Sequence, residues 1–122
     1  MGEADMKTIL IVEDTELNID LLTQLLEDDY RLLVARDGAE SLLVIENYPP
    51  DLILMDISLP VMDGYEAARQ IRKRHKTLPI IGLSSNAMKS DSEKAIEAGC
   101  NDYLTKPIDE DLLMKKLQEY LG

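Results

Sequence analysis

The sequence predicts a doubly wound α/β domain, a five-stranded parallel sheet with five helices covering both faces. Short apolar runs alternate with amphipathic stretches along all 122 residues. The connections between them are only a few residues long. The runs are continuous in apolar residues, as strands buried on both faces must be. Hydrophobic residues make up 45% of the chain, enough for one core without disulfides or a structural metal.

Residues 1–6 read as a flexible lead-in and 7–122 as the domain. Thr8–Val12 is β-branched and apolar, the mark of a buried strand. Leu17, Leu21, Leu22, Leu25 and Leu26 then recur at helical spacing, with Thr15 placed to cap. Leu32–Ala35 is a second strand, and Asp37-Gly38 turns the chain into a helix bearing Ala39, Leu42, Leu43 and Ile45. Pro49-Pro50 blocks further helix and leads into the third strand, Leu52–Met55. Asp63, three residues ahead of Glu66, opens a helix that buries Ala67, Ala68 and Ile71. Pro79–Leu83 is the fourth strand, and Ser90–Ala98 a helix stopped by Gly99. Tyr103-Leu104 forms the fifth strand. Asp109 caps a last helix with Leu112, Leu113, Leu117 and Leu121 facing inward.

Composition excludes several classes. A net charge of −11 argues against direct nucleic-acid binding, which needs clustered cations. The basic run from Arg72 to Lys76 sits at a predicted helix end, where cations complement the helix dipole. His75 belongs to that run, has no metal-ligand partner at useful spacing, and reads as a surface histidine. Cys100 is the lone cysteine, so no intramolecular bridge can form, which fits a reducing compartment. No apolar run is long enough to span a bilayer and no signal-peptide pattern follows Met1, so no membrane insertion and a cytoplasmic location are expected.

Polar residues cluster just past the strand ends: Glu13-Asp14 after the first, Asp56 after the third, Ser84-Ser85 after the fourth, Lys106-Pro107 after the fifth. Ligands of doubly wound sheets bind outside those ends. If the first and third strands are neighbours, Glu13, Asp14 and Asp56 converge on one crevice. Three carboxylates so close repel one another, and a hard divalent cation resolves the conflict, Mg²⁺ in preference to zinc. Such a cation takes phosphate oxygens as further ligands, and a carboxylate can be the nucleophile toward phosphorus. Lys106 and the Ser84 hydroxyl are then placed to reach phosphoryl oxygens. Taken singly, Asp14 could be only a cap, Asp63-Gly64 only cap and turn chemistry, and Ser-Ser or Lys-Pro only solvated surface. Four clusters at the ends of four separate strands are hard to dismiss.

These residues resemble the receiver domain of two-component response regulators. The resemblance is carried by Ile9-Leu10-Ile11-Val12-Glu13-Asp14, the stretch Asp51 to Gly64, Leu83 to Met88, and Ala98 to Pro107. It runs from about Lys7 to Leu121. It implies the flavodoxin-like receiver fold with strand order 2-1-3-4-5, Asp56 as phosphoacceptor, and Glu13, Asp14, Asp56 and the Ser58 backbone carbonyl as ligands of Mg²⁺ (Mn²⁺ as a substitute). It further implies Lys106 on the phosphoryl group, a cis bond to Pro107, and Ser84 with Tyr103 as the switch pair. Ser84 stands where threonine is more frequent, and Ser58 and Asn86 occupy positions that tune phosphoryl loss. The implied donor is a histidine kinase or a histidine phosphotransfer protein, and the implied output surface is the fourth helix, fifth strand and last helix. The wording around Leu83–Lys89 and Ala98-Gly99-Cys100 looks most like stand-alone receivers and receivers of hybrid histidine kinases.

A turnover enzyme fits less well. A phosphatase of the haloacid dehalogenase type uses similar groups but needs a second aspartate two positions past the nucleophile, where this chain has Ser58. A flavin binder would need a phosphate-cradling loop after the first strand, where Glu13-Asp14-Thr15-Glu16 repels phosphate. A degenerate receiver would have lost Asp14, Asp56 or Lys106, and all three are present.

Overall fold

Strands buried on both faces must send alternate side chains into two separate cores, and the sequence supplies both sets. A computed structural model describes residues 6–59, 62–85 and 89–122, with backbone alone for 89–91. Residues 1–5, most of the expected lead-in, lie outside the described residues. The elements run β1 (Thr8–Val12), α1 (Glu16–Leu26), β2 (Arg31–Ala35), α2 (Gly38–Asn47), β3 (Leu52–Asp56), α3 (Gly64–Arg74), β4 (Ile80–Ser84), α4 (Lys89–Ala98), β5 (Asp102–Thr105) and α5 (Glu110–Leu121).

All neighbouring strands pair parallel, in the order β2-β1-β3-β4-β5. Ile9, Ile11, Leu52 and Leu54 join Leu22, Leu26, Leu113 and Leu117 beneath α1 and α5. Leu10, Val12, Ile53 and Met55 join Ile45, Ala67, Ala68, Ile71 and Ala95 beneath α2, α3 and α4. The central strands β1, β3 and β4 are buried almost throughout, while β2 and β5 at the edges are only partly covered. β1 beside β3 puts the ends of both under one crevice, the adjacency the carboxylates require.

Several helix faces differ from expectation. In α1 the buried residues are Ile19, Leu22 and Leu26, whereas Leu17 and Leu21 are 75% and 48% exposed. The helix carries two apolar stripes, and the sheet can cover only one. Leu43 in α2 and Leu112 in α5 are likewise exposed, while Leu113 and Leu117 face inward and Leu121 is partly buried. Buried Ser41 takes a place among the apolar residues of α2 because its hydroxyl donates to the Gly38 carbonyl at 2.6 Å. Asp37, Asp63 and Asp109 cap their helices by accepting from Glu40, Glu66 and Leu112 amides. Thr15 occupies the cap position of α1 but makes no side-chain cap bond.

The basic run holds a surprise. Arg74 is a solvated partner of Glu46, but Arg72 is a clamp. Its guanidinium donates to the Gly99 carbonyl from two nitrogens (3.1 and 2.6 Å), to Asn101 Oδ1 at 2.9 Å and to the His75 carbonyl at 2.8 Å. Gly99 ends α4 with φ +117° and packs against the Arg72 stem. The clamp joins the end of α3 to the turn before β5, and half-buried His75 serves it through its backbone. Arg72→Ala is expected to cost about 2–3 kcal/mol, because charge-assisted bonds are lost and the acceptors left unpaired. Arg74→Ala should change stability by less than about 0.5 kcal/mol. Urea denaturation of the two variants checks the contrast, and equal effects would mean that Arg72 is only a surface charge.

Cys100 is buried against Gly82 and Ala95 in the α2–α4 core. Burial pushes its thiol up to about 11, so it is a packing residue with little thiolate at neutral pH. Among the described residues no helix is long and apolar enough to cross a membrane.

Candidate functional site

Parallel strands bring their carboxyl ends to one edge of the sheet, and the polar residues that follow them meet there. Glu13 directly follows β1 and is fully buried, and Asp14 beside it is exposed. Asp56 is the last residue of β3 and is 5% exposed. One carboxylate oxygen from each of Glu13, Asp14 and Asp56 lies within 4.8 Å of the others. Asp14 is not a helix cap, since Thr15 holds that position.

The buried acids are held by specific donors. Glu13 Oε1 accepts from Asn18 Nδ2 at 3.0 Å and from the Thr15 amide at 3.4 Å. Asp56 Oδ1 accepts from the Ser58 amide at 3.0 Å. Lys106 Nζ lies 3.0 Å from Glu13 Oε2 and 3.4 Å from Asp56 Oδ2, neutralising part of the cluster from the end of β5. Burial raises the Asp56 carboxyl above its ordinary range, and the Glu13 carboxylate pushes the same way. The Ser58 amide and the Lys106 ammonium pull it down without cancelling the rise. The site therefore holds more negative charge than it has cations to balance. All its free donors are oxygens, the set that suits a hard divalent ion, so the residues fit Mg²⁺.

Ser84 ends β4 almost completely buried, one residue beyond the level of Asp56, which pairs in register with Leu83. The Ser84 carbonyl accepts from the Lys106 amide at 2.6 Å, tying β4 to the loop that carries the lysine. The Lys106–Pro107 peptide is cis, as expected. Tyr103 in β5 is partly buried against the α2–α4 core. Asn86 lies outside the described residues.

Sequence reasoning missed three contributors. Asn18 steadies Glu13 from the first turn of α1, and nothing in its spacing marks it. Gly64 was expected as turn chemistry, yet its φ is not positive; among the described residues only Gly99 and Gly122 are. Its real reason is space: a Cβ there would overlap the Asp56 carbonyl and the Ile57 Cα. The Gly64 amide also donates to the Ile57 carbonyl at 3.2 Å, so α3 begins directly against the backbone that presents Asp56. Gly38 is the third: a Cβ there would lie 2.5 Å from the Met62 carbonyl oxygen.

Comparison with known proteins agrees with this geometry. The response regulator receiver domain family matches residues 9–118. The polar-differentiation response regulator DivK of Brucella ovis is 37% identical over 119 residues, covering 95% of this chain and 97% of DivK. A putative response regulator from Chloroflexus aurantiacus superposes with a TM-score of 0.92 at 33% identity, covering 96% of this chain and 98% of that one. The receiver domain of the sensor histidine kinase PA1611 from Pseudomonas aeruginosa superposes with a TM-score of 0.89 at 39% identity, with the same coverage, and holds a magnesium ion in its active-site cleft. With sequence and strand order in agreement, the chain belongs to the response regulator receiver domain family, the phosphoacceptor switches of two-component signalling.

Proposed function

We propose that Asp56 is the residue that takes the phosphoryl group, from a phosphohistidine on a histidine kinase or a histidine phosphotransfer protein. The observation that carries this is the buried Asp56 carboxylate grouped with Glu13 and Asp14, with Lys106 Nζ 3.4 Å from its Oδ2. An Asp56 carboxylate oxygen attacks phosphorus. The phosphorus–nitrogen bond breaks, and the departing imidazole keeps the electron pair and is protonated. Glu13, Asp14, Asp56 and the Ser58 carbonyl would hold Mg²⁺, or Mn²⁺ by the same donor chemistry. When bound, that ion supplies neutralisation of charge on the transferring oxygens.

The chain's own groups do the rest. The Ser58 amide aims one Asp56 oxygen, leaving the other on the Lys106 side to react. Lys106 follows the negative charge from the carboxylates to the phosphoryl group, and the Ser84 hydroxyl donates to another phosphoryl oxygen. That movement at the end of β4 gives the Tyr103 ring a second packing position, altering the face of α4, β5 and α5 that a downstream protein reads. A shift from 1:99 to 99:1 takes about 5.5 kcal/mol of differential stabilisation, within reach of several charge-assisted bonds. The chain assists the gain and loss of its own phosphoryl group and turns over no external substrate. Its expected place is the cytoplasm, in keeping with a lone reduced thiol.

Mass spectrometry after incubation with acetyl phosphate and Mg²⁺ tests the assignment. One phosphoryl group is expected, mapped to Asp56 and absent from Asp56→Asn. An adduct that persists in the variant, or none in the wild type, overturns the reading.

A further inference from the structure

We propose that Gly38, at the start of α2 and on a different element from every group at the site, is a positioning residue for the cation site. It would act by letting the start of α2 press without slack against Met62, two residues before α3. The inference rests on the reading of Glu13, Asp14 and Asp56 as cation ligands.

Gly38 is buried at the first position of α2. A Cβ there would lie 2.5 Å from the Met62 carbonyl oxygen and 3.0 Å from both Met62 Cβ and Cγ. Its nearest obstacle is thus main chain, which cannot rotate away as a side chain can. The turn that carries Gly38 is stiff, since Asp37 caps the helix on the Glu40 amide at 2.7 Å and the Ser41 hydroxyl holds the Gly38 carbonyl at 2.6 Å. Partly buried Met62 packs on the core shared by α2 and α3.

Met62 lies two residues before Gly64, where the chain returns against the end of β3. There it has no slack either, because Gly64 is pressed on the Asp56 carbonyl and the Ile57 Cα. Two glycines therefore bear on the chain around Asp63, Gly38 from the start of α2 at Met62 and Gly64 from the start of α3 at the Asp56–Ile57 backbone. Next to Ile57 sits Ser58, whose amide aims Asp56 Oδ1 and whose carbonyl is the remaining protein ligand in the proposed site. A methyl group at Gly38 must move either α2 or the chain at Met62. α2 is seated on the sheet through buried Ile45, so it is the chain from Met62 to Gly64 that moves, and the Asp56–Ile57 backbone pressed on Gly64 moves with it; the Ser58 carbonyl and the Asp56 carboxylate lose their alignment.

The test compares Gly38→Ala with Ser41→Ala, which loosens the same helix turn without adding an atom near Met62. Gly38→Ala is expected to weaken Mg²⁺ binding about tenfold or more in calorimetry, the usual size of a support-shell effect. In the metal-free protein it should also shift the Ser58 and Gly64 amide resonances. Ser41→Ala is expected to lower Tm but leave the Mg²⁺ affinity within about twofold of wild type, well short of that effect. An unchanged affinity and unshifted Ser58 amide in Gly38→Ala overturn the proposal, as do equal losses of affinity in both variants. Should Gly38→Ala fail to fold, Met62→Ala trims Cγ from the contact and leaves only its carbonyl and Cβ. It should speed Ser58 amide exchange in the metal-free protein while the Leu10 and Leu54 amides stay protected; unchanged Ser58 exchange also overturns the proposal. If wild type itself binds no Mg²⁺, it is the reading of the cation site that fails.

Discussion

Gly64→Ala is expected to destabilise the chain by about 3 kcal/mol, the upper part of the usual range for overpacking, and to abolish phosphorylation by acetyl phosphate. Two effects compete at this position. Alanine is the better helix former by up to about 1 kcal/mol, and less than that at a first helical residue. Against that gain, its methyl group would overlap the Asp56 carbonyl and the Ile57 Cα, both main-chain atoms of the strand end. No side-chain rotation relieves such a contact, so α3 must lift away from β3. The Gly64 amide bond to the Ile57 carbonyl goes with it, and Asp56 loses its placement. The clash therefore wins by magnitude. A lower urea midpoint together with loss of the phosphoryl adduct is the expected pair of results. A higher midpoint would show that α3 slides outward without cost and that propensity decides.

Asp56→Asn is expected to do the opposite to stability. Without metal at neutral pH, the variant should be more stable than wild type by on the order of 1 kcal/mol, the scale of a buried charge's unrecovered desolvation. Burial, with Glu13 pushing the same way, raises the Asp56 pKa in the folded chain. Between the ordinary value of 3.8 and that raised value, the folded state holds more proton than the unfolded one. Wild-type stability therefore falls as pH rises through that window, and the cost is fully present above it. Asparagine carries no charge and keeps an acceptor for the Ser58 amide. The gap in Tm between variant and wild type should be widest at neutral pH and close as the pH falls toward 3.8. Saturating Mg²⁺ should reverse the order, because a cation that binds only the folded wild type stabilises it by mass action. A metal-free variant that melts below wild type at neutral pH would mean that Lys106 and Ser58 outweigh burial.

Much of the site was legible because its residues lie where strand periodicity stops. Glu13, Asp56, Ser84 and Lys106 each follow an apolar run, and a parallel sheet has only one place to gather such ends. The acidic caps Asp63 and Asp109 and the stop at Gly99 were legible for a similar reason, since each acts on residues a few positions away. Less could be read where two local solutions had equal merit. Leu17 and Leu21 form as good a stripe as Ile19, Leu22 and Leu26, and only the position of the sheet selects between them. Arg72 and Arg74 look alike in sequence, yet one is a clamp on Gly99 and Asn101 and the other a solvated charge.

By itself, then, the sequence determined the fold class, the strand boundaries to within a residue or two, and which polar groups stand at the strand ends. These follow from local periodicity and from a chain that must bury both faces of every central strand. Only the tertiary structure decided which helix face is buried and what Arg72 holds. It also decided why Gly38 and Gly64 tolerate no side chain. Those depend on distances between segments far apart in sequence: the reason for a missing Cβ lies in the neighbour that fills its space.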